Sequence, residues 1–280
     1  MKTKFSLLLF FCFISLSAQD KKAYQFFNAK GKKVSYKKVV KKTKSVDVLF
    51  FGELHNNAIA HWLQLELTKD LNQYNKLILG AEMFERDNQI EIDAYLKGSI
   101  NQKELDTTAR LWPNYKTDYK PLLDYAKDNN INFVATNIPR IYASHVYRGG
   151  FEALDTLNKQ WMAPLPIAFD AELPRYKAIM EMMGDHGSLN LVKAQAVKDA
   201  TMAFSIKENF KNDHLFIHYN GAYHSDFHEG ILWYLNRLNP ELKVFTITTV
   251  SQDQLKTLNE EYLDQADLVL VVDSDMTNTY

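Results

Sequence analysis

Six apolar runs constrain this chain more than anything else in it: VDVLFFG (46–52), KLILGAEMF (76–84), INFVATN (131–137), HLFIHYNG (214–221), LKVFTITTV (242–250) and ADLVLVVD (266–273). Their apolar residues are largely consecutive rather than alternating with polar ones. A strand of that kind is covered on both faces. Between the runs lie segments of helical period: AIAHWLQLELTKDL, NQIEIDAYL, PLLDYAKDNN and FHEGILWYLNRL. Strands that alternate with helices predict an α/β fold, a mostly parallel sheet flanked by helices. One domain of this type is expected over residues 46–280.

Residues 139–211 break the rhythm. The stretch is long and helical without a clear strand, punctuated by Gly149–Gly150 and Pro164–Pro166. It reads as a helical insertion, or lid, between two strands. Ahead of the domain, residues 19–45 read as a hairpin turning at Ala29–Gly31 and a short helix capped by Ser35. Ten lysines fall between residues 21 and 44; they read as the solvated face of a peripheral element. The formal net charge of −1 gives no field to recruit nucleic acid.

Residues 1–18 have the pattern of a secretory signal peptide: Lys2 and Lys4, an apolar run, then small residues up to Ala18. The expected location is the periplasm, or association with a membrane without a lipid anchor. Cys12, the single cysteine, lies within the apolar run, so the mature chain offers no disulfide and no thiolate ligand.

The polar residues that end the strands point to a site. The first strand ends in Glu53 and His55, the second in Glu82, with Arg86 beyond it. The third ends in Asn137, followed by Arg140. The fourth ends in Asn220, His224 and Asp226. In open parallel sheets, ligands bind beyond the carboxyl ends of the strands. Convergence of four such ends carries the inference, because a lone strand-end Glu or His is more often a cap or a hydrogen-bond partner. Asn56 and Asn57 read as helix caps, and His61 as a packed core histidine. Within the helix that begins at Ser188, Gln195 and Asp199 share a face with Val192, Ala196, Ala203 and Ile206. A buried amide and carboxylate need partners, either in the framework or at the border of the site. No phosphate loop, nucleophile elbow or HExxH motif is present.

The ordered motifs GELHNN, AEMFERDNQ, WPxY…YxPLLDYA, ATNIPR, GDHG…KAQAVKDATMA and NGAYHSDFHEGI span about residues 46–250. With them the chain resembles the ChaN-type haem-binding uptake proteins, a branch of the Tiki/erythromycin-esterase superfamily. The resemblance implies an iron-regulated, exported α/β protein that binds haem and pairs as a homodimer, in reach of outer-membrane haem-uptake components. Many members are lipoproteins, whereas this chain lacks the anchoring cysteine. Some relatives are metal-dependent peptidases and hydrolases with Glu and His at positions matching Glu53, His55, Glu82 and His224. These four residues are therefore candidates both for catalysis and for holding a divalent metal.

For haem, the insertion supplies aromatic and methionine side chains. The resemblance points to tyrosine ligation, so Tyr176 is the first candidate for the axial ligand, with Tyr142 and Tyr147 behind it. Met180 and Met183 would share a helix face with Tyr176, and Arg175 is placed to meet a propionate. His186, at a turn, is the next candidate ligand. The alternative is a hydrolase built on the strand-end Glu/His cluster.

Overall fold

The computed structural model describes residues 21–184 and 187–280. The signal peptide expected over 1–18 and the candidate ligand His186 lie outside the described residues. Eight strands form one sheet: β1 (Tyr24–Asn28), β2 (Lys33–Val34), β3 (Val48–Glu53), β4 (Lys76–Glu85), β5 (Asn132–Asn137), β6 (His214–Gly221), β7 (Val244–Gln252) and β8 (Leu268–Asp273). Their order is β2-β1-β8-β7-β3-β6-β4-β5. The six apolar runs of the sequence are the six parallel strands. All of β3 is buried, as a doubly covered strand must be.

Two helical layers do the covering. Helices α1 (Tyr36–Thr43), α2 (Ala58–Asn72), α3 (Gln89–Leu96), α4 (Gln102–Thr108) and α5 (Lys120–Asp128) share one apolar core with Leu49, Phe51, Leu79 and Ala81. Helices α6 (Arg140–Gly149), α8 (Leu189–Asn209) and α9 (Ile231–Leu238) share a second with Val48, Phe50, Ile78 and Phe216. The period of two along a strand sends Phe50 to one layer and Phe51 to the other. Gly80 permits a close approach here, since a Cβ on it would lie 2.8 Å from the Phe216 ring.

Residues 139–211 are the helical stretch between β5 and β6: α6 and α8 are the second helical layer of the sheet, and α7 (Pro174–Met183) packs on α8. A segment with no strand among its described residues is what a long crossover from β5 back to β6 requires. The N-terminal hairpin is β1 and β2, and it joins the sheet. Strand β1 pairs antiparallel with β8 over five residue pairs and completes the sheet edge. The ten lysines are all exposed, on the solvated side of that edge.

The topology fixes where a site belongs. Strands β3 and β6 are neighbours, but the chain leaves β3 through α2 on one face and β6 through α9 on the other. The crevice outside their carboxyl ends is the switch point at which α/β sheets bind ligands. Among the described residues, no helix is long and apolar enough to cross a membrane.

Candidate functional site

An open cleft of about 1240 Å³ lies at that switch point, and Glu53, His55, Glu82, Gly221 and His224 are in its lining. Two carboxylate–histidine pairs form its floor, one from each face of the sheet.

The first pair continues the β3 face that carries Leu49 and Phe51. Glu53 is 1 % exposed. Its Oε1 meets His55 Nδ1 at 3.0 Å and accepts from the Tyr119 hydroxyl at 2.8 Å. Its Oε2 accepts from Gln64 Nε2 at 2.7 Å, with His61 Nδ1 at 3.4 Å. Gln64 and His61 come from α2, which starts with Asn57 accepting from the Ala60 N–H. Asn57 is therefore the cap the sequence indicates, and His61 is buried as read. Tyr119 ends a π turn over Tyr115–Tyr119. With Nδ1 committed to Glu53, His55 keeps Nε2 for other partners. Its ring stands edge-on to Trp112, with centroids 4.9 Å apart. Burial opposes a charge on His55, but the hydrogen bond to Glu53 and the charges of Glu82 and Glu53 outweigh it and raise its pKa. The ring passes so close to β6 that a Cβ on Gly221 would lie 2.8 Å from its Nε2.

The second pair is on the opposite face. Glu82 Oε2 accepts from the Gly221 N–H at 2.7 Å, and Oε1 meets His224 Nε2 at 3.1 Å. His224 Nδ1 meets Asp199 Oδ1 at 2.5 Å, and the Tyr176 hydroxyl donates to Asp199 Oδ2 at 2.9 Å. All four residues are buried. Burial disfavours charge on His224, yet Glu82 and Asp199 more than compensate and hold its pKa up at about 10. It is therefore an imidazolium at neutral pH. Burial likewise works against the Glu82 carboxylate, which the charge and hydrogen bond of His224 hold well below the usual range. Burial raises Asp199, against the pull of His224 and Tyr176. Gln195 brings Nε2 to 3.0 Å from His224 Nδ1. Nearby in β6, His218 is buried between Thr136 and Asn220; burial pushes it down to about 4, so it is neutral.

The remaining candidates divide. Asn137 and Arg140 line the cleft, while Asp199 lies buried beneath it. Arg86 turns away: it donates to Ser205 Oγ and pairs with Glu208 at 3.1 Å, beside a smaller hollow under β5. Met183 reaches the mouth of the cleft together with Met182, whereas Met180 packs on Tyr176 and Val192. The favoured tyrosines are not cleft residues. Tyr176 is 2 % exposed and committed to Asp199, and burial raises its hydroxyl pKa far above the ordinary value. Tyr142 donates to the Asn158 carbonyl within the second core. Tyr147 is exposed on α6 and does not line the cleft. Arg175 lies over the Tyr223 ring at 3.5 Å, with Asp226 at 3.5 Å. The tyrosines that do line the cleft are Tyr223, Tyr262 and Tyr280. Tyr223 sits inside the NGAYHSDFHEGI motif, and Trp112 and Tyr119 sit inside WPxY…YxPLLDYA. Those motifs were visible in sequence, but the facing of these rings was not.

The four Glu/His residues are hydrogen-bonded to one another and to the framework. Both oxygens of each glutamate and both nitrogens of His224 already have partners, which leaves His55 Nε2 as the free donor atom. Among the described residues, no group of three or more metal-type ligands converges.

The sequence profile for haem-binding uptake proteins of the Tiki superfamily, ChaN, matches residues 39–235. The chain belongs to the ChaN family. A ChaN of Campylobacter jejuni, in which haem binds cofacially, shares the fold with a TM-score of 0.68 at 18 % identity, over 91 % of this chain and 99 % of that one. Broader likenesses include a Bacillus cereus protein (TM-score 0.48, 12 % identity, 84 % of this chain and 90 % of that) and a mutant of the erythromycin esterase EreC (0.48, 10 %, 89 % and 83 %). No match was found among curated proteins. Membership of the ChaN family accounts for the ordered motifs, which include Glu53, His55, Glu82, Asp199 and His224.

Proposed function

We propose that this ChaN-family chain is an exported haem-binding protein that takes haem into the strand-end cleft for iron acquisition. The observation that carries the reading is the composition of the cleft. A polar floor lies beneath walls that include Trp112, Ile138, Ile179, Met182, Met183 and Tyr223. A large, mainly apolar opening with a few placed polar groups suits a planar amphiphile of porphyrin size. Ferric iron accepts phenolate oxygen or imidazole nitrogen, and Tyr223, Tyr262, Tyr280 and His55 line the cleft. His55 is held by the carboxylate that a strong imidazole ligand uses. The Campylobacter relative binds haem cofacially, which supports a homodimer with two facing haems. Delivery from outer-membrane components fits a signal-bearing chain. Haemin titration of the mature protein tests the reading: a saturable Soret shift is expected. Substituting Tyr223, Tyr262 and Tyr280 by Phe, and His55 by Ala, then finds the ligand. Sedimentation with and without haemin tests the dimer.

The floor supports a second reading, hydrolysis of an ester or peptide. Glu53 fixes Nδ1 of His55 as the donor and leaves Nε2 to take a proton, which is general-base geometry. Ester and peptide screens with and without added divalent metal, in wild type, His55→Ala and Glu53→Gln, check this. Turnover that survives both substitutions would remove it.

A further inference from the structure

We infer that the lysine-rich N-terminal element, residues 21–46, is a docking face for an anionic lipid bilayer and seats the chain on a membrane surface without a lipid anchor. The formal charge of −1 conceals a division. Residues 21–46 hold ten lysines and no acidic side chain, whereas residues 47–280 hold 21 basic and 33 acidic ones. A part with charge +10 is thus joined to a part with charge −12. Opposite charges attract, yet all ten lysines stay exposed. Among the described residues, only Lys30 of the ten has a carboxylate partner, Asp264. Asp47 and Asp70, on neighbouring elements, accept instead from the Lys243 N–H and the Tyr36 hydroxyl. Seven of the ten lysines precede residue 39, where the family match begins, so the face is a feature of this chain.

The lysines are arranged as a face. In α1, at about 100° per residue, Lys37, Lys38, Lys41, Lys42 and Lys44 fall within an arc of about 160°. The buried Val39 and Thr43 occupy the other side. The hairpin that leads into α1 adds Lys30, Lys32 and Lys33. Asn28 pairs with Leu268, the first residue of β8, so the hairpin turn lies at the amino end of the sheet. Helix α1 ends there too, since the Lys44 carbonyl accepts from Asn75, just ahead of β4. The cleft is at the carboxyl ends, so a chain seated on this face keeps the cleft clear of the surface. Tyr74 supplies the independent observation. It is 61 % exposed at the same end, with Lys44 Nζ 4.7 Å from its ring centroid. An amphipathic ring beside cations suits the headgroup level of a bilayer. The use of lysine throughout fits this occupant as well. Lysines are point charges on flexible stems, without the arginine fork that grips one oriented phosphate. Each adds attraction to an anionic leaflet within a Debye length.

Co-sedimentation of the full mature chain with vesicles tests this, comparing phosphatidylcholine alone with a phosphatidylcholine–phosphatidylglycerol mixture. Wild type is expected to bind the mixture at least about tenfold better. It should be released at about 1 M salt, where the Debye length falls to about 3 Å. The combined variant Lys37→Gln, Lys38→Gln, Lys41→Gln, Lys42→Gln should bind the mixture at least about tenfold more weakly, because each lysine near such a surface contributes about fivefold. A second variant removes the same charge from exposed lysines elsewhere: Lys97→Gln, Lys103→Gln, Lys207→Gln, Lys256→Gln. It should bind as wild type does. Equal binding of wild type to both vesicles, no binding to either, or equal losses in the two variants would overturn the docking face. Retention on immobilised polyglutamate without binding to the mixed vesicles would assign the face to an acidic protein and overturn it too. None of these results bears on haem, whose Soret titration needs no vesicle. Melting curves confirm that both variants are folded, which the helix propensity of glutamine favours.

Discussion

The Glu53–His55 and Glu82–His224 pairs use the same residue types at the ends of strands in one sheet, yet they differ in nearly every physical respect. Glu53 spends both oxygens inside the fold and holds His55 by one nitrogen, and the His55 side chain remains 35 % exposed. His224 is held at both nitrogens by two carboxylates and is buried in the cleft floor, with its side chain 7 % exposed. The first arrangement keeps a lone pair for a ligand. The second keeps none, and its imidazolium is the counter-charge that lets Glu82 and Asp199 be buried at all. Identical residues at equivalent strand ends thus divide into a presented group and a framework group. What divides them is whether the helical layer on that face contributes a second acid.

The largest expected effect breaks the framework pair. His224→Gln leaves two buried carboxylates without their counter-charge and should cost about 3–5 kcal/mol of folding stability. His55→Ala removes a partly open ring and should cost about 1 kcal/mol. Urea unfolding of both variants checks the contrast; equal losses would erase the distinction.

A pH series sharpens it. The folded pKa of His224, about 10, lies above the ordinary 6.5. The stability its charge adds is therefore fully present below about pH 6.5 and is lost as pH rises through 10. Wild type should lose about 5 kcal/mol across that window. His224→Gln should lack this component of the slope.

The close passage of His55 over β6 gives a smaller effect. Gly221→Ala forces the ring or the strand to move, at about 1–2 kcal/mol for an overpacked site. The histidine NMR resonances should report it, with His55 shifted and His218 little changed.

Much of this was legible in sequence, and the reason is physical. Continuous apolar runs admit few structures other than buried parallel strands, so all six appear where they were read. The strand-end residues Glu53, His55, Glu82 and His224 converge because parallel strands deliver their carboxyl ends to one edge. Facing was harder to read. Tyr176 lies on a helix with Met180 and Met183, but its direction depends on where Asp199 sits on α8, a contact 23 residues away. Arg86 follows a strand end as Arg140 does, yet Ser205 and Glu208 draw it to the other side of β5. The role of residues 139–211 as a helical layer depended on a crossover that periodicity does not encode.

The smallest effect separates Tyr176 from the cleft tyrosines. Tyr176→Phe should cost about 1 kcal/mol through the lost bond to Asp199 and leave a haem spectrum unaltered. An altered iron charge-transfer band in that variant would return Tyr176 to the ligand set.

The most direct measurement of the central claim, that haem occupies the strand-end cleft, is a haemin titration of wild type beside a Met182→Asp/Met183→Asp variant. These methionines line the mouth and are 70 % and 42 % exposed, so folding should be preserved. The account predicts a saturable Soret shift in wild type and at least about a tenfold weaker one in the variant, from two buried charges facing an apolar ligand. A wild type that shows only the spectrum of free haemin, or a variant that titrates as wild type does, would contradict it.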